Sequence, residues 1–179
     1  FYKEGTNNSL IQALEIVKTS KILKRSKSQS IFLKNNYSNN FYLIKKGVVN
    51  LSRVCESGNE LTFNLLKENE IFGITPFLNK NTISRYSAFA FTDVEIICIP
   101  INNLMNLIET NKDIRKEIIK GFTNIILQSE YKIETLNDTS KISKLISFLL
   151  FCSNKFGLRD EKGLKINLEL THKSISNSI

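Results

Sequence analysis

The sequence predicts an α+β protein in which short antiparallel strands are followed by a long helix and a small second domain. Between Leu23 and Pro100, short apolar segments alternate with turn residues, which is typical of an antiparallel barrel or jelly roll. From Asn111 to Leu136, apolar residues recur at three- and four-residue steps without a proline, which predicts one long helix. Residues 139–179 then combine helical patterns with a hairpin.

The composition is that of a globular protein with a basic balance. Lys and Arg number 25 against 17 Asp and Glu, a net charge of +8, which favours polyanionic partners such as nucleic acid. AT-rich codons also encode Lys, Asn and Ile, so genome composition is a second source of the charge. No apolar run reaches the roughly 18 residues that a membrane span needs, so no membrane association is expected.

Three widely spaced cysteines, Cys55, Cys98 and Cys152, bear on the compartment and on metal binding. Their odd number and wide spacing suit neither a disulfide framework nor a four-ligand metal site. We therefore expect a reducing compartment and no metal. Cys98 lies in an apolar strand and Cys152 in an apolar helix face, so we expect core residues there rather than redox sensors.

The elements of the first part are placed by apolar pattern and by turns. A first helix is predicted from Asn8 to Ile22. The strands are predicted at Ser30–Leu33, Phe41–Ile44, Val48–Val54, Leu61–Leu66, Ile71–Phe72 and Ala88–Ile99. Gly47 and Gly58 mark the turns on either side of the third of these strands, because glycine supplies the positive φ that tight hairpins require.

The long helix is followed by a hinge and a second domain. A helix longer than a small β-domain can cover usually packs against a partner helix, and the alternative is packing across its own barrel. Asn137–Ser140 favours local side-chain bonds that end one helix and cap the next. Ile142–Phe156 is the next predicted helix, with Gly157 as a left-handed C-cap. A hairpin follows, and Thr171 caps a last helix.

This order of elements resembles the cyclic-AMP-receptor/FNR family of transcription regulators, especially its nitrogen-control members. The segments that carry the resemblance are Leu51–Val54 with Glu56, Gly58 and Glu60, Glu68–Gly73, Ala90–Glu95, Ile126–Glu130, Ile133–Leu136, Leu145–Leu150, Phe156–Gly157 and Leu168–His172. The resemblance implies a cyclic-nucleotide-binding-like β-roll (a jelly roll) as sensor domain at 1–110 and a dimerisation helix at 111–138. At 139–179 it implies the N-terminal part of a winged helix-turn-helix DNA-binding domain, with the recognition helix expected to be absent.

The family's effector pocket lies between the β-roll and the long helices of both subunits. The resemblance implies that the pocket takes backbone groups from Phe72, Gly73, Ile74 and Thr75. Arg85 would supply a cation to an anionic effector, because its planar fork suits a carboxylate or phosphate. The alternative for Arg85 is an ordinary solvated charge at the start of a strand.

Departures from the family pattern bear on the effector. Cyclic-nucleotide sensors carry a glutamate after the Phe-Gly step, where this sequence has Ile74, so cyclic AMP is not expected. The single histidine, His172, lies in the DNA-binding part, and cysteines for an iron-sulfur cluster near the N-terminus are missing. No cofactor is therefore expected, and 2-oxoglutarate, sensed by the nitrogen-control members, is the candidate effector.

The family's 2-oxoglutarate pocket adds an arginine and a glutamate from the long helix. Glu130 matches the glutamate, but Ile125 stands at the arginine position. A buried carboxylate without its cation loses roughly 3–5 kcal/mol, so weakened or absent binding is expected. Lys120 or Lys132 would have to replace the cation, and neither lies on the helical face of Ile125.

The resemblance also implies the output and the partners. It implies a homodimeric activator that binds promoter DNA, works with RNA polymerase, and acts in a plastid stroma or otherwise in the cytoplasm. Thr171, His172 and Lys173 are candidate DNA contacts, with capping and solvation as alternative roles. An enzyme is not expected, because no phosphate loop or nucleophile motif is present. The alternative is a regulatory or scaffolding dimer that neither senses an effector nor binds DNA.

Overall fold

The computed structural model describes residues 9–15, 19–55, 58–75, 83–137, 140–161 and 163–179. The predicted α+β class is confirmed, because strands dominate the first half of the chain and helices the second. In chain order the elements are α1 (Ser9–Glu15), β1 (Lys21–Arg25), β2 (Ser30–Phe32), β3 (Asn40–Lys46), β4 (Val49–Val54), β5 (Glu60–Leu66), β6 (Ile71–Phe72), β7 (Ser87–Ala90), β8 (Val94–Pro100), α2 (Ile101–Thr110), α3 (Lys112–Asn137), α4 (Lys141–Phe156), β9 (Gly157–Asp160), β10 (Gly163–Ile166) and α5 (His172–Ser176).

The strands of the first half form two sheets with the interleaved order of a β-roll. Within the described residues, one sheet has the order β1-β8-β3-β6 and the other β2-β7-β4-β5. Strands distant in sequence are therefore neighbours, as in β3 and β8, where Leu43 lies opposite Ile97. This topology confirms the β-roll that the alternation of short apolar segments predicts.

The core of the roll is centred on β3 and β8. Phe41, Leu43 and Ile44 of β3 are fully buried, as is Ile96 of β8. Both α1 and α2 pack against β8, and α2 also contacts β3. Since helices cover one face of these strands and side chains of the roll the other, β3 and β8 read as nearly continuous apolar runs rather than as an alternating pattern.

The first helix does not extend to Ile22, its predicted C-terminal end. Of the predicted helix Asn8–Ile22, the structure describes helix at Ser9–Glu15, and residues 8 and 16–18 lie outside the described part. Lys21 and Ile22 belong instead to β1, where they pair with Cys98 and Ile97 of β8. The hydrogen bonds of that antiparallel ladder decide the conformation here over the helical spacing of the apolar residues.

The strand predicted at Ala88–Ile99 is two strands in different sheets. β7 and β8 are separated by a bend that begins at Phe91, and its polar residues hold neighbouring loops. The Thr92 hydroxyl accepts a hydrogen bond from Val48 N–H at 2.9 Å, and the Asp93 carboxylate accepts one from Lys27 N–H at 2.8 Å. Such side-chain to backbone bonds compete with the ladder and break the strand.

Two predicted glycine roles have opposite outcomes. Gly47 has φ +89°, as predicted for its turn, and a Cβ there would collide with the Asp93 carbonyl oxygen. The left-handed cap predicted at Gly157 is wrong, because its φ is −74° and the chain passes directly into β9. A Cβ on Gly157 would collide with the Ser153 carbonyl oxygen, so this glycine permits close approach to the preceding helical turn.

The long helix is observed where it is predicted, and it spans two compact units. α3 has 26 residues, and Asn111 caps it by accepting hydrogen bonds from the N–H groups of Asp113 and Ile114 at 3.0 and 3.1 Å. One unit comprises Phe1–Arg53 and Asn64–Asn124, and the other comprises Val54–Phe63 and Ile125–Ile179. Among the described residues, no helix has the length and apolar character needed to cross a bilayer.

The second unit packs α4 against the end of α3. The Tyr131 ring stacks on Phe151 with centroids 6.0 Å apart, and its hydroxyl donates a hydrogen bond to the Ser147 carbonyl at 3.0 Å. Ser140 caps α4, since its side chain accepts a bond from Ser143 N–H at 3.4 Å. Asp138 and Thr139 of the predicted hinge lie outside the described residues.

Because Cys152 is buried, we expect the second unit to lose stability at alkaline pH. Its thiol is fully buried, as expected for a core residue, whereas Cys98 is half-buried and Cys55 exposed. Burial raises the pKa of Cys152 to about 11. An unfolded thiol ionises near the ordinary value of roughly 8.5, so the folded state keeps its proton longer than the unfolded state. The contribution of the Cys152 thiol to the free energy of unfolding is therefore fully present below the unfolded-state pKa, and it is lost as pH rises toward about 11.

We expect Cys152→Ala to remove about 1–3 kcal/mol of this alkaline loss. The measurement is urea unfolding of wild type and variant at pH values near neutrality and near the raised pKa. Cys55→Ala, at an exposed thiol, is the matched control and should lose stability as steeply as wild type. An equally steep loss in Cys152→Ala would contradict the prediction.

Candidate effector site

The Phe72-Gly73 step, predicted to face an effector, is held against aromatic rings of the β-roll. Phe72 is 1% exposed, and its ring stacks on Tyr42 with centroids 4.9 Å apart. Gly73 has φ +72°, and a Cβ there would lie 2.5 Å from Tyr42 Cδ2. Only glycine fits this combination of positive φ and close approach. The structure thus gives Gly73 a reason in the neighbouring Tyr42 ring, and contact of its backbone with an effector stays a prediction.

The Gly73 amide already has a partner inside the protein. Its N–H donates a hydrogen bond to the Tyr86 hydroxyl oxygen at 3.1 Å. Burial raises the pKa of the Tyr86 hydroxyl, and the bond from Gly73 offsets part of that rise. Tyr86 follows Arg85 directly, yet sequence reasoning missed it, because only the fold brings it to Gly73. The next residues, Ile74 and Thr75, are half-buried.

Arg85 lies on the surface, two residues before the first residue of β7. Its side chain is exposed, and its carbonyl oxygen accepts a hydrogen bond from Arg53 Nε at 3.2 Å. Two guanidinium-bearing residues are thus neighbours at this edge of the roll. The role of Arg85 toward an anionic effector stays a prediction.

α3 approaches the same loop from the helical side within the first unit. A Cβ on Gly121 of α3 would lie 2.5 Å from Cδ1 of Ile71, the residue that precedes Phe72 in β6. A glycine inside a helix costs roughly 1 kcal/mol relative to alanine. At Gly121 this cost is offset by the close packing of α3 on β6. Sequence analysis does not single out Gly121, because its reason is a contact between distant segments.

The two predicted effector residues of α3 lie in the second compact unit. Ile125 is half-buried and Glu130 is exposed. Of the two lysines considered as substitutes for the missing cation, Lys120 forms an ion pair with Glu117 at 2.6 Å, and Lys132 donates a hydrogen bond to the Ser178 carbonyl. Burial lowers the pKa of Lys132. Both lysines are therefore engaged elsewhere. The expectation from helical geometry holds for Lys120 but is wrong for Lys132, which lies two helical turns after Ile125 and so on the same face of α3.

An apolar seam runs along the exposed side of α3. Ile119, Ile126 and Ile133 follow one another at intervals of one heptad, and 57%, 58% and 60% of their side chains are exposed. We call these three residues the isoleucine seam. Large apolar side chains in regular register on a helix are typical of a helix that pairs with another.

The three predicted DNA contacts open α5. Thr171 forms a capping box with Ser174: its hydroxyl oxygen accepts from Ser174 N–H at 3.1 Å, and the Ser174 hydroxyl oxygen accepts from Thr171 N–H at 2.9 Å. Capping therefore accounts for Thr171, as its alternative role predicts. His172 and Lys173 are exposed in the first turn, and their contact with DNA stays a prediction.

Comparison with known proteins identifies the family. Residues 23–111 match the cyclic nucleotide-binding domain. The global nitrogen regulator of Nostoc sp. is 37% identical over 86% of this chain and 69% of its own length. That of Synechocystis sp. is 36% identical over 86% of this chain and 68% of its own length. A solved structure of a CooA mutant from Carboxydothermus hydrogenoformans shares the fold, with a TM-score of 0.77 at 21% identity, over 98% of this chain and 79% of that chain.

A cyclic-nucleotide-binding-type β-roll followed by a long helix and helix-rich C-terminal residues defines a class of transcription regulators. The chain belongs to the cyclic-AMP-receptor/FNR family, and within it its similarity is to the global nitrogen regulators. This confirms the resemblance carried by the sequence motifs. Because these relatives are regulators, the expectation that the chain is not an enzyme is confirmed, and the scaffolding alternative is not favoured.

Proposed function

We propose that this chain is a homodimeric, DNA-binding transcription activator of the nitrogen-control type. The observation that supports the dimer is the isoleucine seam, whose members are all more than half exposed. β-Branched residues at heptad position a favour a parallel pair of helices. Pairing along α3 sets two DNA-reading domains at a fixed spacing, which matches a palindromic site.

In this proposal the chain has three functional parts. Residues 1–110 form the sensor, residues 111–138 the dimerisation helix, and residues 139–179 the first part of a winged helix-turn-helix domain. Placing the dimer helix between sensor and reader lets effector binding alter the geometry of the two readers.

The proposed effector site combines the Phe72–Thr75 backbone and Arg85 with Ile125 and Glu130 of α3. Ile125 and Glu130 flank the isoleucine seam at the two heptad positions that face each other across a parallel pair of helices. In the dimer, Ile125 therefore lies opposite Glu130 of the partner subunit. With an apolar residue at the position of the family's cation, 2-oxoglutarate binds weakly or not at all.

DNA binding is tested with a fusion in which this chain is followed by the part of the Nostoc regulator that lies C-terminal to the region matched by this chain. In gel-shift experiments the fusion should prefer a palindrome whose half-sites are one helical turn, about 10 base pairs, apart. Absence of any site preference at moderate salt would refute the proposal.

Substitutions at the start of α5 separate capping from DNA contact. Thr171→Ala should cost about 1 kcal/mol of stability by removing the cap. Lys173→Ala should leave stability unchanged but reduce the dependence of log K on log salt by about 1 per subunit, hence by about 2 for the dimeric fusion. Urea unfolding and salt-dependent gel shifts measure the two effects. An unchanged salt slope would show that Lys173 is only solvated.

We further propose RNA polymerase as the partner of the activator and the plastid stroma as its compartment, with the cytoplasm as the alternative. The abundance of Asn, Lys and Ile, which AT-rich codons encode, supports a plastid-encoded chain. Fractionation of cells followed by detection of the chain with an antibody tests the compartment. Detection in the cytosolic fraction alone would exclude the plastid.

A further inference from the structure

The Gly73 amide sits in an aromatic enclosure that already supplies its hydrogen bond. The Phe32 ring lies 5.4 Å from Tyr42, 6.1 Å from Phe72 and 5.5 Å from Tyr86, measured between ring centroids. Tyr86 closes this enclosure with its hydroxyl oxygen 3.1 Å from Gly73 N. An effector that accepts a hydrogen bond from this amide must therefore replace an existing partner.

The bond to the Tyr86 hydroxyl stabilises the protein without effector, because it pairs a buried donor. Gly73 is buried, and leaving a buried N–H unsatisfied is unfavourable, so the protein without effector gains from the Tyr86 contact. That gain is lost when an effector takes the amide. The exchange favours a carboxylate, because hydrogen bonds to charged acceptors are roughly twice as strong as those between neutral groups.

We propose that Tyr86 is an internal competitor for the Gly73 amide and so sets the affinity threshold of the effector site. This rests on the proposed function in one respect, namely that the Phe72–Thr75 backbone contacts a carboxylate effector. Tyr86 keeps the amide satisfied until a carboxylate displaces its hydroxyl. Removal of that hydroxyl leaves the amide available and tightens binding.

Tyr86→Phe removes the competitor and keeps the ring. Titration calorimetry with 2-oxoglutarate should give an affinity about three- to tenfold higher in Tyr86→Phe than in its parent. The comparison is made in wild type and in Ile125→Arg, so that weak binding caused by Ile125 does not hide the effect.

Tyr42→Phe is the matched control. The Tyr42 ring also borders Gly73, but the Gly73 N–H donates to the Tyr86 hydroxyl and not to that of Tyr42, so removing the Tyr42 hydroxyl does not release the amide. The affinity of this variant for 2-oxoglutarate should equal that of its parent. A gain equal to that of Tyr86→Phe would show a general loosening of the aromatic enclosure and would overturn the proposal.

A second measurement does not depend on a variant that folds less well. In the wild type, hydrogen-deuterium exchange of the Gly73 amide should be slow without effector, because the Tyr86 hydroxyl protects it. Fast exchange there would overturn the proposal, whatever Tyr86→Phe does.

The remaining outcomes are decisive. Weaker binding in Tyr86→Phe would make Tyr86 a direct ligand, and unchanged binding would remove Gly73 from the site, so both overturn the proposal. If no variant binds 2-oxoglutarate at millimolar concentration, Tyr86 sets no threshold for it and the proposal fails. The dimer and its DNA binding would still stand, since sedimentation and the gel shift of the fusion judge them separately.

Discussion

Ile126→Lys should convert the proposed dimer into monomers. Ile126 is the central residue of the isoleucine seam, and the substitution puts one lysine from each copy face to face. Removing two buried isoleucines from an interface costs about 3–6 kcal/mol, which is a factor of order 10² to 10⁴ in the dimer dissociation constant. The repulsion and desolvation of the two cations add to this loss.

Sedimentation equilibrium at micromolar concentration measures the effect. Leu127→Lys is the matched control, because Leu127 is 48% exposed on the same helix but lies one position off the seam. The control should remain dimeric. In the fusion, Ile126→Lys should also lose its preference for a palindrome, because a monomer reads only one half-site.

A wild-type chain that sediments as a monomer would remove the basis of the proposed regulator. A monomeric Leu127→Lys with a dimeric Ile126→Lys would instead move the interface to another face of α3. Because the two substitutions add the same charge to neighbouring residues, a difference between them cannot come from net charge.

Strongly periodic or strongly buried elements could be predicted from the sequence. α3 begins and ends within about a residue of its prediction, since its periodicity extends over 26 residues and no proline interrupts it. β3 and β6 are found at their predicted positions, because short apolar segments bounded by turn residues favour buried strands over longer helices. The turn at Gly47 follows from glycine chemistry alone.

The elements that were missed depend on partners far away in sequence. β1 has only five residues, and its two apolar residues are adjacent and do not alternate with charged ones, so its pairing with β8 cannot be read from either segment alone. Gly157 has the residue type of a left-handed C-cap, but the packing of β9 against the end of α4 selects an extended conformation. The residue type alone therefore does not predict the backbone angles of Gly157, because tertiary contacts determine them.

In the candidate site, too, some residues could be predicted from the sequence and others depend on contacts between distant segments. The family resemblance singles out Phe72 and Gly73, and both lie where backbone meets aromatic rings. Tyr86 and Gly121 were not predicted, because the bond from Gly73 and the approach to Ile71 join segments that only the fold brings together. Sequence therefore finds positions with an unusual residue type, and structure finds ordinary residue types in unusual places.

Ile125→Arg should restore 2-oxoglutarate binding if the rest of the effector site is intact. The substitution returns a cation to the position where the family has one. A buried carboxylate gains roughly 3–5 kcal/mol from its cation, so affinity should rise by a factor of order hundreds to thousands. Titration calorimetry on the dimer measures the change, and Ile125→Met, which is unbranched like arginine but uncharged, is the control.

The position of Ile125 beside the seam gives this experiment a second arm. In the proposed dimer an arginine there faces Glu130 of the partner subunit, so a salt bridge between helices competes with the ligand for the new cation. Glu130→Gln removes that carboxylate. If Glu130 only holds the arginine away from the ligand, the double variant binds 2-oxoglutarate more tightly than Ile125→Arg alone. If Glu130 orients the arginine toward the ligand, the double variant binds more weakly. No gain from Ile125→Arg in either background would show that Ile125 is not at the effector site, because the cation would then have no carboxylate to meet.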